Sequence, residues 1–82
     1  MPDLKAILNI QGENLRIDLL TKPPQSAVFR RSLVRKVLVG ESKLAFSDGM
    51  LLLRREGSET MTIEGEHGTA SVLTTDVLEL LE

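Results

Sequence analysis

The chain of 82 residues has no cysteine, no tryptophan and no tyrosine, and it has a single histidine. Without cysteine there is neither a disulfide framework nor a thiolate metal site, so the small core has no covalent or zinc staple. Phe29 and Phe46 are the only aromatic residues, and the stacking platforms used in sequence-tolerant binding of single-stranded nucleic acid are therefore missing. Long apolar runs are absent as well. The longest, Met50, Leu51, Leu52 and Leu53, falls far short of the roughly 20 residues that cross a bilayer. The N-terminus carries Asp3 and Lys5 where a signal peptide requires its apolar stretch. With neither a membrane span nor a secretion signal, the expected location is cytoplasmic.

Hydrophobic residues make up 41% of the chain and charged residues 27%, a balance that folds. A chain this short holds one core, so residues 1–82 are expected to form a single domain. The net charge of -2 hides an asymmetry. Residues 1–55 hold all ten Lys and Arg against five acids, giving +5, whereas residues 56–82 hold seven acids and no base, giving -7. In one compact domain such charges most simply complement each other across neighbouring strands or between copies of the chain.

Alternation predicts the strands. Over 4–10, Leu4, Ala6, Leu8 and Ile10 face one side and Lys5, Ile7 and Asn9 the other; after Gln11, Gly12, Glu13 and Asn14 the residues Leu15, Ile17 and Leu19 resume the period of two. This is a hairpin, ended by Lys22, Pro23 and Pro24 because proline cannot donate to a sheet ladder. Over 25–39 apolar clusters alternate with the pairs Arg30–Arg31 and Arg35–Lys36, a spacing nearer to helical, with Ser26 as cap and Gly40 as stop. A short helix ending near Val34 followed by a strand over 35–39 is the competing reading. A second hairpin is expected over 43–56 around Asp48-Gly49, then strands over 60–64 and 69–73 divided by turns at 57–59 and 65–68. A short terminal helix over 76–82 is capped by Thr74 or Thr75. No fixed-period repeat appears.

The expected fold is α+β: an antiparallel sheet of about six strands, built from two hairpins and a meander, with one central helix and a short C-terminal helix. A small β-barrel is the alternative. The expected core comprises Leu8, Ile10, Ile17, Leu19, Phe29, Leu33, Val37, Leu44, Phe46, Leu52, Met61, Ile63, Val72 and Leu78.

Reactive chemistry is scarce. His67 lies in a polar turn with Glu64 and Glu66, which lacks the three or four convergent ligands of a metal centre. Grouping it with Ser58, Ser71 and Asp76 as a triad has no nucleophile-elbow context behind it. The six glycines are scattered singly, and no phosphate-cradling loop occurs. No catalytic, cofactor or metal site is expected, and no small-molecule substrate is indicated.

Two binding readings remain. Met50 and Leu52 oppose Leu51 and Leu53, so both faces of that strand are apolar, and Ile7, Leu20 and Leu73 fall on outward sides. The surplus points to a protein-interaction and assembly module, self-associating or with a protein partner, with Leu51, Leu53 and Leu73 as candidate contacts. The alternative is a nucleic-acid-binding regulator using Arg30, Arg31, Arg35 and Lys36, with Lys22 and Lys43 nearby. On a helix Arg31 and Arg35 stand one turn apart and suit consecutive phosphates. A sequence pI near 5.4 and the lack of aromatics weigh against that second reading.

Overall fold

The computed structural model describes residues 5–41, 43–46, 51–57 and 59–82, and of Phe46 the backbone alone. Leu4, Asp48, Gly49, Met50 and Ser58, and the side chain of Phe46 expected in the core, lie outside the described residues.

The N-terminal hairpin forms as its alternation requires. β1 (Ala6–Gln11) pairs antiparallel with β2 (Asn14–Leu19), Leu8 opposite Ile17. Gly12 between them has a φ of 63°, a left-handed turn conformation that glycine adopts without steric penalty. The chain then turns at Pro23, whose peptide bond is cis.

The next segment corrects the expectation of a helix over 25–39. Residues Gln25–Arg30 form β3, antiparallel to β2, and only Arg31–Leu38 form a helix, α1. Both readings of this segment placed the helix first. The order is strand then helix because Ala27 and Phe29 alternate inward and pair with Ile17 and Leu15, burial that a helix starting at Ser26 would forfeit. Ser26 is a strand residue opposite Asp18, not a cap. Gly40, at φ 84°, does end the helix.

The second half contains β4 (Leu44–Phe46), β5 (Leu52–Glu56), β6 (Thr60–Gly65), β7 (Gly68–Leu73) and α2 (Thr74–Leu81). The strands make two antiparallel sheets, ordered β1-β2-β3 and β4-β5-β6-β7. This replaces the single sheet of about six strands, and among the described residues no closed barrel forms. Both sheets turn one face into a shared core that α1 and α2 complete with Val34, Val37, Leu38, Val77 and Leu81.

Register decides which leucines join that core. Ala45, Leu53, Ile63 and Ala70 stand in one cross-strand row, and all four are buried. The adjacent outward rows carry Leu44 beside Arg54 and Leu52 beside Glu64, with Arg54 and Glu64 paired at 3.0 Å. Leu44, expected in the core, is therefore 43% exposed, and Leu52 is only half-buried. Leu51 and Leu53, expected at a partner surface, are fully buried.

The two halves repeat one plan of three antiparallel strands and a helix. Leu8, Ile17 and Ala27 form one row of the first sheet, and Leu53, Ile63 and Ala70 form the matching row of the second. In both halves the helix follows the third strand without a linker. Arg30 (φ -69°, ψ 137°) and Leu73 (φ -75°, ψ 133°) occupy the same junction conformation, with no side-chain cap at either. Capping by Thr74 or Thr75 is thus not what starts α2. Instead, the first helical N–H of each half reaches back to the preceding hairpin turn: Arg31 N donates to the Glu13 carbonyl, and Thr74 N to the Glu59 carbonyl, each at 2.9 Å.

Candidate interaction surfaces

The basic cluster divides into two kinds of residue. Arg31, half-buried at the start of α1, donates from Nη1 to the Gly12 carbonyl at 3.3 Å and from Nη2 to the Leu81 carbonyl. It joins the β1–β2 turn to the last turn of α2, where a cation also meets the negative end of the helix dipole. Its guanidinium is thus committed within the molecule. Arg30, at the end of β3, and Arg35 and Lys36, in the last turn of α1, are exposed and have no ion-pair partner among the described residues. A cleft of about 550 Å³ at this end is lined by Glu13, Asn14, Arg30, Arg31 and Ser32. Its lining includes one acid, and Arg35 and Lys36 are outside it. Arg31 and Arg35 do stand one turn apart on α1, with Lys36 next to Arg35 and Arg30 just before the helix.

Charge complementarity between residues 1–55 and 56–82 is realised across neighbouring strands at one place among the described residues, Arg54 of β5 with Glu64 of β6. That pair is at 3.0 Å, and the other Lys/Arg to Asp/Glu pair of the described residues, Arg16–Asp18 at 3.2 Å, lies within residues 1–55. His67 is exposed, 4.0 Å from Glu66, and no three His, Asp or Glu side chains converge among the described residues.

Of the three apolar contacts expected from sequence, Leu73 alone is at the surface, 50% exposed. Together with Leu80, which is 42% exposed, it lines a groove of about 370 Å³ whose other walls are Ala6, Leu8, Ser71, Val72, Asp76 and Val77. The groove runs between β1, at one edge of the first sheet, and β7, at one edge of the second, under α2. Leu80 was not among the contacts expected from sequence. Its signal was present: Leu78, Leu80 and Leu81 point in three directions around a helix, so they cannot all face one core.

The β1 edge adds backbone groups to this groove. Leu20 N donates to the Lys5 carbonyl at 2.9 Å, which makes Lys5 and Leu20 a hydrogen-bonded pair continuing the β1–β2 register. Such pairs alternate along an antiparallel ladder. Ile7, Asn9 and Gln11 therefore direct their N–H and C=O groups to β2, while Ala6, Leu8 and Ile10 direct theirs to the open edge. Among the described residues, no strand other than β2 pairs with β1.

The remaining exposed apolar residues of the first sheet, Ile7, Leu20 and Val28, are interspersed on its outer face with Asn9, Arg16, Asp18 and Ser26. Isolated apolar side chains of that kind are normal on a soluble surface.

In comparisons with protein-family models, curated proteins and solved structures, the chain matches none.

Proposed function

We propose that this chain is a non-enzymatic protein-interaction and assembly module whose docking face is the groove between β1 and β7. One observation carries the reading: Leu73 and Leu80 stand about half-exposed beside the edge strand β1, which among the described residues pairs with no strand but β2. Apolar area and main-chain hydrogen bonding are offered at the same place, and an association that covers both gains from each. Asp76, in the same lining, favours a partner that brings a base.

Light scattering and affinity capture on the wild type, compared with Leu73→Asp and Leu80→Asp, test it. Both positions are solvent-facing, so the variants fold, and association with a second copy or another protein should fall by about tenfold or more. Association unchanged in both variants overturns the proposal. The nucleic-acid reading makes the opposite forecast. It requires binding of labelled DNA or RNA that falls steeply with salt and is lost in the Arg35→Glu, Lys36→Glu double variant.

A further inference from the structure

Two exposed patches of opposite charge stand on the two helices. On α1, Arg35 and Lys36 are exposed, and Val39 N donates to the Arg35 carbonyl at 2.9 Å, which carries the helical hydrogen bonding through the C-cap. Val39 therefore follows Lys36 by three residues and Arg35 by four, the spacing of neighbours on a helix surface, and it is 51% exposed. An apolar knob is flanked by two cations. On α2 the same spacing puts Asp76 beside Glu79 and Leu80, and Leu73 precedes Leu80 by about two turns. Asp76 and Glu79 are exposed, so the apolar pair Leu73 and Leu80 is flanked by two acids. Neither patch is neutralised in place. Arg35, Lys36, Asp76 and Glu79 take part in no ion pair among the described residues. Glu41, the acid nearest to Lys36 in sequence, is exposed and makes none either. Lys5, next to the groove residue Ala6, falls on the opposite face of the β1 register by strand alternation.

We infer that the groove takes the α1 end of a second copy of this chain: Val39 of one copy seats on Leu73 and Leu80 of the next, and Arg35 and Lys36 meet Asp76 and Glu79. This rests on the docking reading above and names the occupant. The two patches match in kind and in spacing, apolar on apolar and two cations on two acids, each set drawn from one helix surface. A single valine resting on the exposed sides of Leu73 and Leu80 does not enter between β1 and β7, which are in direct contact. Inside one molecule α1 and α2 touch, yet no ion pair joins them among the described residues, so the match is met between molecules. The charge ledger agrees. Residues 1–55 carry +5 and residues 56–82 carry -7, and internal pairing across that divide uses one base and one acid, Arg54 and Glu64. What is left attracts copies in one orientation, the α1 end of one toward the α2 side of another, and so selects the register of the contact as well as its strength.

Sedimentation velocity of the full-length, nucleic-acid-free protein tests this at about 50 mM salt and at concentrations up to the order of 1 mM. The wild type should self-associate, and about 0.5 M salt should weaken that association. Leu80→Asp, which spoils the socket, and the double variant Arg35→Glu, Lys36→Glu, which spoils the knob, should each weaken it by about tenfold or more, with circular dichroism spectra equal to the wild type's. Mixed in equal amounts, the two variants bring one intact knob and one intact socket, and should recover a complex holding one copy of each. Self-association lost in Leu80→Asp but unchanged in Arg35→Glu, Lys36→Glu would give the groove to another part of the second copy and overturn the inference. A mixture that recovers no complex would overturn it equally. A wild type that stays monomeric throughout, with capture of another protein still abolished by Leu73→Asp, would leave the docking face intact and refute recognition of a second copy. Absence of both would refute the two together.

Discussion

Replacing Leu53 by alanine separates a core role for this leucine from a surface role. The side chain is 0% exposed, and its cross-strand neighbours on the inner face are Ala45 and Ile63. Three carbon atoms are lost, worth roughly 2.4 kcal/mol of transfer free energy at about 0.8 kcal/mol per buried methylene. Ala45 is too small to fill the space, so the cavity term applies nearly in full and raises the total to about 4 kcal/mol. A domain of this length holds about 4 to 12 kcal/mol in all, so the variant should lie at or near the edge of folding. Urea denaturation followed by circular dichroism reads the difference directly, and Leu53→Met, which keeps the volume, should lose less than about 1.5 kcal/mol. A loss under about 1 kcal/mol for Leu53→Ala would place this leucine at a surface and refute the register from which the core was derived.

Four further outcomes follow from the same packing. Leu44→Ala and Leu73→Ala, at positions 43% and 50% exposed, should each change stability by no more than about 0.5 kcal/mol in the same denaturation assay. Arg31→Ala should lose about 1 to 3 kcal/mol through its two carbonyl contacts, against about 0.5 kcal/mol or less for Arg35→Ala, and equal melting temperatures would show that the Arg31 contacts contribute nothing. Gly65→Ala should destabilise by about 1 to 3 kcal/mol, because the added Cβ would come within 2.8 Å of Leu19 and 3.1 Å of Leu51. Gly12→Ala meets no atom within 4 Å and should lose about 1 kcal/mol from its positive φ alone, so a larger loss at Gly12 than at Gly65 in parallel urea titrations would contradict the packing around Gly65.

Strands with a clean period of two were readable from sequence. Leu15, Ile17 and Leu19, and later Met61 and Ile63, face inward as their alternation requires. Three features were not readable, each for a physical reason. In β3 the outward Val28 sits between the inward Ala27 and Phe29, which hides the alternation, and the junction at Arg30 has no capping side chain to announce a helix start. Where the chain enters β5 every residue from Leu51 to Leu53 is a leucine, so composition cannot say which face is buried. The partner strand says it: Glu64 must stay near water and Ile63 must not, and pairing Leu52 with Glu64 turns Leu53 inward. The internal repeat is masked by unequal turns. Matching residues are 45 apart from Leu8 to Leu53, 46 from Ile17 to Ile63 and 43 from Ala27 to Ala70, so no constant period exists to be found. At the candidate site Leu73 was legible as outward, whereas the groove depends on β1 and β7 coming together, which no local pattern encodes.

Arg31 reaches Leu81, 50 residues further along the chain, and Gln25 Oε1 accepts a hydrogen bond from Glu66 N across the two sheets. Side chains of the first half, Arg31 and Gln25, thus satisfy backbone groups of the second, and Leu81 near the C-terminus is anchored by a residue in the middle of the chain. Melting cannot begin in one repeat and spare its counterpart. Trimming the final turn of α2 would loosen the amide protons of the Gly12 turn as well, so the duplicated units are expected to come apart in a single all-or-none transition.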